Sequence, residues 1–302
     1  MHPYPKQILS MRQQIQSYVD AGMIVDPSDD IENVLSRVGY YRLRGYCFHL
    51  YDNSTKKYLA GTKFSNVVLL YDFSVELSHL LFGMLTDIEV ALRARFIEAL
   101  LSYGDALIWA DPAIFVDKEH YWKNMSTVSS EIARSNDVFI KHNFDKHNGL
   151  IPLWAVVEIL SLGTLSKLTK NLDASSGTAY STFSGYYKYK SSHGNLVSPS
   201  KKMLSSWIHS VSVLRNMCAH CGRIYNRSIS TAPEIIDIDR ISPHPQYNGL
   251  YQVMLAMKYL RPSDNAWNSF VTQFKSLVTK YNPVIELWRM NFPSDWEAHF
   301  TL

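Results

Sequence analysis

The sequence has little of what marks a secreted, disordered or membrane-spanning chain. Its 302 residues include only 3 cysteines, too few for a disulfide scaffold, and a net charge of +3, too small to indicate nucleic-acid binding by itself. Hydrophobic residues make up 46% and aromatic residues 13%, which excludes overall disorder and suffices for a large core. No apolar stretch follows Met1. No segment reaches the roughly 18 apolar residues that cross a bilayer. We therefore predict a soluble, cytoplasmic protein that does not engage a membrane.

Motifs for several common chemistries are also missing. The chain has no P-loop, no dinucleotide fingerprint, no H-E-x-x-H and no G-x-S-x-G motif. Cys218 and Cys221 have C-x-x-C spacing, but no second pair with structural-zinc spacing follows. Both are expected on the apolar face of a helix, where they would pack in the core. We predict neither a metal nor a cofactor.

Helical periodicity dominates the rest of the chain. Apolar residues spaced three and four apart predict helices at about residues 6–25, from 31, 64–103, 152–172, 198–222, 249–260 and 264–281. Polar loops are expected at residues 52–63 and 173–200, and a proline-containing connector at 231–248. No convincing alternation predicts a sheet. The sequence therefore predicts an all-α fold in a single domain, residues 1–302, with an N-terminal segment 1–60 and a core 61–302.

The predicted helix at 198–222 has an apolar face and an opposite polar face. At 100° per residue, the polar face carries His209, Asn216, His220, Arg223 and Arg227. Arg215 lies about 70° from the centre of the apolar face by the same rotation. From there a long guanidinium can reach a carboxylate on a neighbouring helix.

The string LRNMCAHCGRIYNR, residues 214–227, resembles the Arg-x4-His motif of the HEPN superfamily in the form found in Abi-like (abortive infection) proteins of bacteria. Four further blocks resemble that family in the same order. They are RVGYYRLRGY at 37–46, the long helix at 64–96, IPLWAVVEILSLGTLSKL at 151–168 and FPSDW at 292–296. The resemblance covers nearly the whole chain and implies a HEPN-like helical bundle with additional N- and C-terminal helices.

The resemblance implies an RNA-directed effector of phage defence that cleaves RNA without metal. In HEPN ribonucleases the motif arginine and histidine of two domains meet across a dimer interface. By this likeness Arg215 and His220 are the catalytic pair, and Asn216 orients the phosphate or the imidazole. A histidine can move a proton near neutral pH, and an arginine can stabilise charge on the phosphorus. Both roles suit attack by the ribose 2′-hydroxyl, which leaves a 2′,3′-cyclic phosphate.

The spacing of the motif also predicts something about the site. Arg215 and His220 are about 140° apart around a straight helix, so one helix cannot easily aim both at one phosphate. We therefore expect a homodimeric site or a distorted helix end at Gly222. Residues expected to contact RNA, mostly through phosphates, are Arg223, Arg227, His209, Arg42 and Arg44. The alternative to RNA contact for Arg42 and Arg44 is that this segment forms a helix–turn packed on the core, in which Tyr41 and Tyr46 are half-buried.

We expect a few other residues to support the site or the core. Glu89 can form an intrahelical ion pair with Arg93 or hold Arg215 in place, and Glu158 competes for the latter role. Tyr225, inside the motif string, is a further supporting residue. Trp154, Trp207 and Trp296 are expected to anchor the core.

Two other functions remain open at this point. One is a non-catalytic RNA-binding protein that grips a structured small RNA. The other is a scaffold that uses the motif helix only to dimerise. The predicted partners are RNA and a second copy of the chain.

Overall fold

The computed structural model describes residues 8–175, 177–241 and 248–302, in which helices surround one long central helix. The α-helices are α1 (Met11–Asp20), α2 (Ile31–Val38), α3 (Tyr40–Arg44), α4 (Phe64–Leu101), α5 (Lys118–Arg134), α6 (Val138–Lys146), α7 (Leu153–Ile159), α8 (Leu162–Asn171), α9 (Ala179–Gly185), α10 (Lys201–Ala219), α11 (Leu250–Leu260), α12 (Asp264–Tyr281) and α13 (Trp296–Phe300). Two antiparallel hairpins pair β1 (Tyr51–Asp52) with β2 (Lys57–Tyr58), and β3 (Tyr189–Lys190) with β4 (Leu196–Val197). The predicted all-α fold is confirmed.

The central helix is α4, which follows the apolar periodicity expected for residues 64–103. Its buried side chains include Leu77, Leu81, Leu85, Ile88 and Leu92, spaced three or four residues apart as a helix requires. It packs against α10 and α12, and also contacts α7, α9 and α11. The helix therefore forms the axis on which the other elements are placed.

Among the described helices, α4 also has the length and apolar composition of a membrane span. This differs from the expectation that no segment would qualify. A core helix of a globular protein passes the same test, and α4 buries residues against several neighbours. Its composition is therefore weak evidence for a span.

The motif helix, α10, lies between α4, α8 and α11. It begins after Ser200, whose hydroxyl accepts a hydrogen bond from the Met203 N–H at 3.2 Å. Trp207 is fully buried, stacks on Tyr259 and donates its indole N–H to the Glu234 carbonyl at 2.7 Å. This packing fixes the first half of α10 and leaves its C-terminal end to form the candidate site.

The largest differences from the predicted elements lie between residues 152 and 200. The helix expected at 152–172 is broken into α7 and α8 at Leu160 and Ser161. The stretch 173–200, expected to be a loop, contains α9 and the second hairpin. In the predicted connector, residues 242–247, including Pro243 and Pro245, lie outside the described residues.

Aromatic side chains close the C-terminal end of the fold. Trp296 is buried against Phe274, Phe292 and Phe300, and Trp267 donates to the Phe300 carbonyl at 2.8 Å. Trp207 and Trp296 are thus core anchors as predicted. The prediction was wrong for Trp154, which is 50% exposed on α7.

Candidate active site

The motif helix ends abruptly at Ala219, three residues earlier than the sequence predicts. Gly222 N–H donates to the Met217 carbonyl at 2.7 Å, and Cys221 N–H donates to the Cys218 carbonyl at 3.1 Å. Cys221 has the left-handed φ of 52° that usually calls for glycine. These bonds form a Schellman motif, which turns the chain away from the helix axis. A distorted helix end was one of the two expected outcomes, and it is present.

Gly222 is needed because the chain folds back closely over α10. A Cβ at this position would lie 3.0 Å from the Met217 carbonyl oxygen. The turn therefore places His220 at the tip of α10, exposed to solvent.

An open cavity of about 440 Å³ lies beside this tip. It is lined by Val213, Asn216, Met217, His220, Gly222, Arg227, Ser228 and Ser230. We call this cavity the motif groove. Three of the predicted site residues, Asn216, His220 and Arg227, therefore meet in one place. Asn216 comes from α10, His220 is the residue that caps its end, and Arg227 comes from the loop that follows.

Arg215 is held from the side of the core. Its Nε donates to Glu89 Oε2 at 3.1 Å, and its guanidinium lies 5.9 Å from the centre of the Phe82 ring. Its Nη1 donates to Asn216 Oδ1 at 3.4 Å. Asn216 thus links the anchored arginine to the motif groove.

Glu89 takes both of the roles between which the sequence left a choice. Its other carboxylate oxygen accepts from Arg93 Nη2 at 2.5 Å, and only 10% of the Glu89 side chain is exposed. One buried carboxylate therefore bridges two guanidiniums. Glu158 is exposed on α7 and does not compete for Arg215.

Arg93 also explains why α7 and α8 are separate helices. Its guanidinium donates to three carbonyl oxygens at the end of α7, those of Val157, Glu158 and Leu160. The last carbonyls of a helix lack intrahelical donors, so an arginine there can replace them. The break is completed by Ser161, whose hydroxyl accepts from the Thr164 N–H at 3.2 Å and begins α8.

Two of the arginines predicted to bind phosphates donate hydrogen bonds to the loop after α10. Arg42 donates twice to the Cys221 carbonyl, at 2.8 and 2.9 Å. Arg223 donates to the carbonyls of Tyr225 and Asn226, at 3.3 and 2.9 Å. Burial, and then the charge of Arg227, lower the pKa of Arg223. The prediction that Arg223 and Arg227 share a helical face with His220 is wrong, because α10 ends at Ala219.

The remaining predicted residues lie around this centre. His209 is exposed on α10, about 10 Å along the axis from Asn216 at 1.5 Å per residue, and does not line the motif groove. Arg44 is exposed and its guanidinium lies 6.0 Å from the Tyr51 ring centre. Tyr225 is fully buried, and burial raises the pKa of its hydroxyl.

His49 and Glu286, which hold the same loop, are not among the residues predicted from the sequence. His49 Nδ1 lies 3.3 Å from Asn226 Nδ2, and its ring packs edge-on against Tyr225. Burial, followed by the charge of Arg289, lowers the pKa of His49 to about 4. The N–H of Glu286 donates to the Tyr225 hydroxyl at 3.1 Å. His49 stands close behind the RVGYYRLRGY block, which was the available signal, whereas nothing local marks Glu286.

Two further expectations are corrected by burial. Cys218 is buried, and burial raises the pKa of its thiol to about 11, but Cys221 is exposed in the turn. Tyr46 is buried as part of a packed turn, whereas Tyr41 is 91% exposed. In the described parts of the chain, no group of three or more His, Cys, Asp or Glu is arranged to hold a metal ion.

A sequence model of the family described as Abi-like protein matches residues 33–226, more than half of the chain. The chain belongs to the Abi-like protein family. Among curated proteins and among solved structures, no significant match is found. Membership implies a role in abortive-infection defence. The matched part of this Abi-like protein begins in α2 and ends in the loop after α10, so it includes Glu89, Arg215 and His220.

Proposed function

We propose that this Abi-like protein is an RNA-directed defence effector that cleaves RNA as a metal-independent endoribonuclease of the HEPN type. The observation that carries the proposal is the motif groove. There His220 and Asn216 lie together with Arg227, next to an arginine anchored by a buried carboxylate. An imidazole and cationic side chains around an open cavity are the groups that 2′-hydroxyl attack requires.

His220 is proposed to move the proton in this reaction. The ribose 2′-oxygen loses its proton and attacks phosphorus, the bond from phosphorus to the 5′-oxygen breaks, and that oxygen takes up a proton. The products are a 2′,3′-cyclic phosphate and a 5′-hydroxyl. Exposure of His220 at the tip of α10 leaves its imidazole accessible to an RNA strand.

Arg215 is proposed to stabilise the charge that develops on the phosphate oxygens. Its Nε is bound to Glu89, which fixes the direction of the guanidinium, and 36% of its side chain remains exposed. A pre-oriented donor that needs no reorganisation contributes most to stabilising a transition state. Asn216, which contacts Arg215 and lines the motif groove, orients the phosphate.

A homodimer is proposed as the working form, by the resemblance to HEPN ribonucleases. Arg215 is directed towards α4 and His220 towards solvent beyond the end of α10. A second copy of the chain, packed along α10, would bring its own pair to the same RNA.

The test is RNA cleavage by purified protein in EDTA, with His220→Ala as the key variant. We expect the wild type to generate 2′,3′-cyclic phosphate ends and His220→Ala to lose at least about 100-fold of that activity, the usual contribution of a proton-transfer group. His142→Ala is the matched control, because His142 is exposed on α6, away from the motif groove.

Binding measured on the same variants separates the alternatives. Retained RNA binding without any cleavage by the wild type would replace this proposal with a non-catalytic RNA-binding protein. If neither RNA binding nor cleavage occurs while the protein dimerises, the motif helix is a scaffold.

A further inference from the structure

Two exposed aromatic side chains flank the loop that follows α10, and both carry an arginine over the ring. Phe48, in the 3₁₀ segment Gly45–Leu50, is 66% exposed, and the Arg223 guanidinium lies 5.7 Å from its ring centre. Trp288, in the 3₁₀ segment Leu287–Met290, is 57% exposed, and Arg289 lies 4.3 Å from its ring centre. Large aromatic rings this exposed gain little from core packing.

A continuous series of contacts connects the two rings. Arg223 donates to the Asn226 carbonyl, and the Asn226 amide contacts His49, the residue after Phe48. The Glu286 carboxylate accepts from the Trp288 indole N–H at 3.2 Å and from Arg289 Nε at 2.5 Å. The Glu286 N–H reaches the buried Tyr225 hydroxyl, which lies in the same loop. Phe48 and Trp288 are therefore held on one rigid support.

The same loop lines the motif groove. Gly222 and Arg227 belong to the groove, while Arg223 lies between them in sequence and covers Phe48. Arg42 binds the Cys221 carbonyl at the near end of the loop. The aromatic pair and the motif groove are thus connected by the same loop, residues 221–227.

The surroundings of the two rings are positively charged. Arg223 and Arg289 lie over the two rings, the charge of Arg227 acts on Arg223, and Glu286 forms an ion pair with Arg289. The pKa of His49 is lowered first by burial and then by the charges of Arg289 and Arg223, while the Glu286 carboxylate acts to raise it. Such a field attracts a polyanion and disfavours a basic partner.

We propose that Phe48 and Trp288 stack unpaired RNA bases beside the motif groove, so that the substrate class is single-stranded RNA or the unpaired part of a folded RNA. This inference rests on the proposed function and specifies its substrate. Exposed aromatic faces among arginines suit splayed bases, whose π-faces stack while the phosphates meet the cations. A continuous duplex keeps its bases stacked internally and cannot use these rings.

The experiment measures RNA affinity in the His220→Ala background, so that cleavage does not consume the probe. The probes are a fluorescein-labelled unstructured 16-nucleotide RNA and the same strand in a blunt duplex. We expect Phe48→Ala and Trp288→Ala each to weaken binding of the single strand by about 5- to 150-fold, the usual range for one stacked base. Binding of the duplex should change by less than about 2-fold.

Matched controls come from exposed aromatic residues elsewhere on the surface. Trp122 on α5 is 68% exposed and Phe144 on α6 is 50% exposed, so Trp122→Ala and Phe144→Ala remove similar rings away from the loop. Trp288→Phe and Phe48→Tyr keep an aromatic face and should restore most of the affinity, which guards against loss through misfolding.

Three results would overturn the inference. The first is an equal loss of affinity for single-stranded and duplex RNA. The second is an unchanged affinity with both rings removed, while the wild type still binds and cleaves RNA. The third is dissociation of a dimer by Trp288→Ala in sedimentation, which would identify the rings as a protein interface. If the wild type neither binds nor cleaves RNA, the proposed function fails first and this inference fails with it.

Discussion

Removing the carboxylate of Glu89 should destabilise the protein more than removing any other single acidic group near the motif helix. Its side chain is 10% exposed and contacts Arg93 and Arg215, which are 12% and 36% exposed. Deleting one member of a buried ion pair usually costs 3–5 kcal/mol because the other charge is left without compensation. Arg93 would keep its carbonyl acceptors at the end of α7. We therefore expect Glu89→Ala to lower the free energy of unfolding by about 3 kcal/mol, the lower end of that range.

The two ion pairs should contribute unequally to that loss. Arg93 is nearly buried, whereas Arg215 is exposed enough for solvent to screen its charge. In double-mutant cycles with methionine at the arginine positions, we expect a coupling of about 2 kcal/mol for Glu89 with Arg93 and below about 1 kcal/mol for Glu89 with Arg215.

Urea unfolding followed by circular dichroism measures these free energies. Glu158→Ala is the matched control, because Glu158 is an exposed carboxylate on α7 and should change the free energy of unfolding by less than about 0.5 kcal/mol. A loss below about 1 kcal/mol for Glu89→Ala, or an equal loss for both variants, would refute the assignment of Glu89 as the buried bridge.

Three further predictions concern the loop after α10. Arg42→Met should lower the free energy of unfolding in urea by about 1 kcal/mol, because the paired donation to the Cys221 carbonyl is lost. Cys221→Gly should raise the free energy of unfolding by about 0.5–1 kcal/mol, because glycine adopts the φ of 52° found at Cys221 without strain. Thermal melting would check the direction of this change. Burial lowers the pKa of His49 from the ordinary 6.5 to about 4, so the unfolded chain takes up the proton at a higher pH than the folded chain. The stability that His49 contributes above pH 6.5 is therefore lost as the pH falls towards 4. Wild type should therefore lose about 2 kcal/mol more than His49→Gln between pH 7 and pH 4.5 in urea titrations.

Helices with a long unbroken period were predictable, and those shaped by distant contacts were not. The bounds of α4, α11 and α12 lie within a few residues of the apolar periodicity. The break between α7 and α8 depends on Arg93, which is more than 60 residues away in sequence. Local periodicity continues through the break, so it could not reveal that a guanidinium replaces the helical donors there.

The candidate site was predictable for the residues whose role depends on the motif helix itself. Asn216 and His220 share the motif groove because four residues bring them to one side of a helix. The position of Arg223 was wrong because the helix was extended to Gly222. Its true end uses Cys221 in a conformation that sequence rules reserve for glycine.

The contacts around the loop after α10 come from two separate parts of the chain. Arg42 and His49 reach it from the N-terminal segment, and the Glu286 N–H reaches it from beyond α12. The family match ends at residue 226, inside this loop, so the last of these contacts lies outside the matched stretch. Arg215, in contrast, is fixed from the core by Glu89. The two proposed catalytic side chains are therefore positioned from different directions, and Asn216 connects them, since it contacts the Arg215 guanidinium and its carbonyl accepts from the His220 N–H.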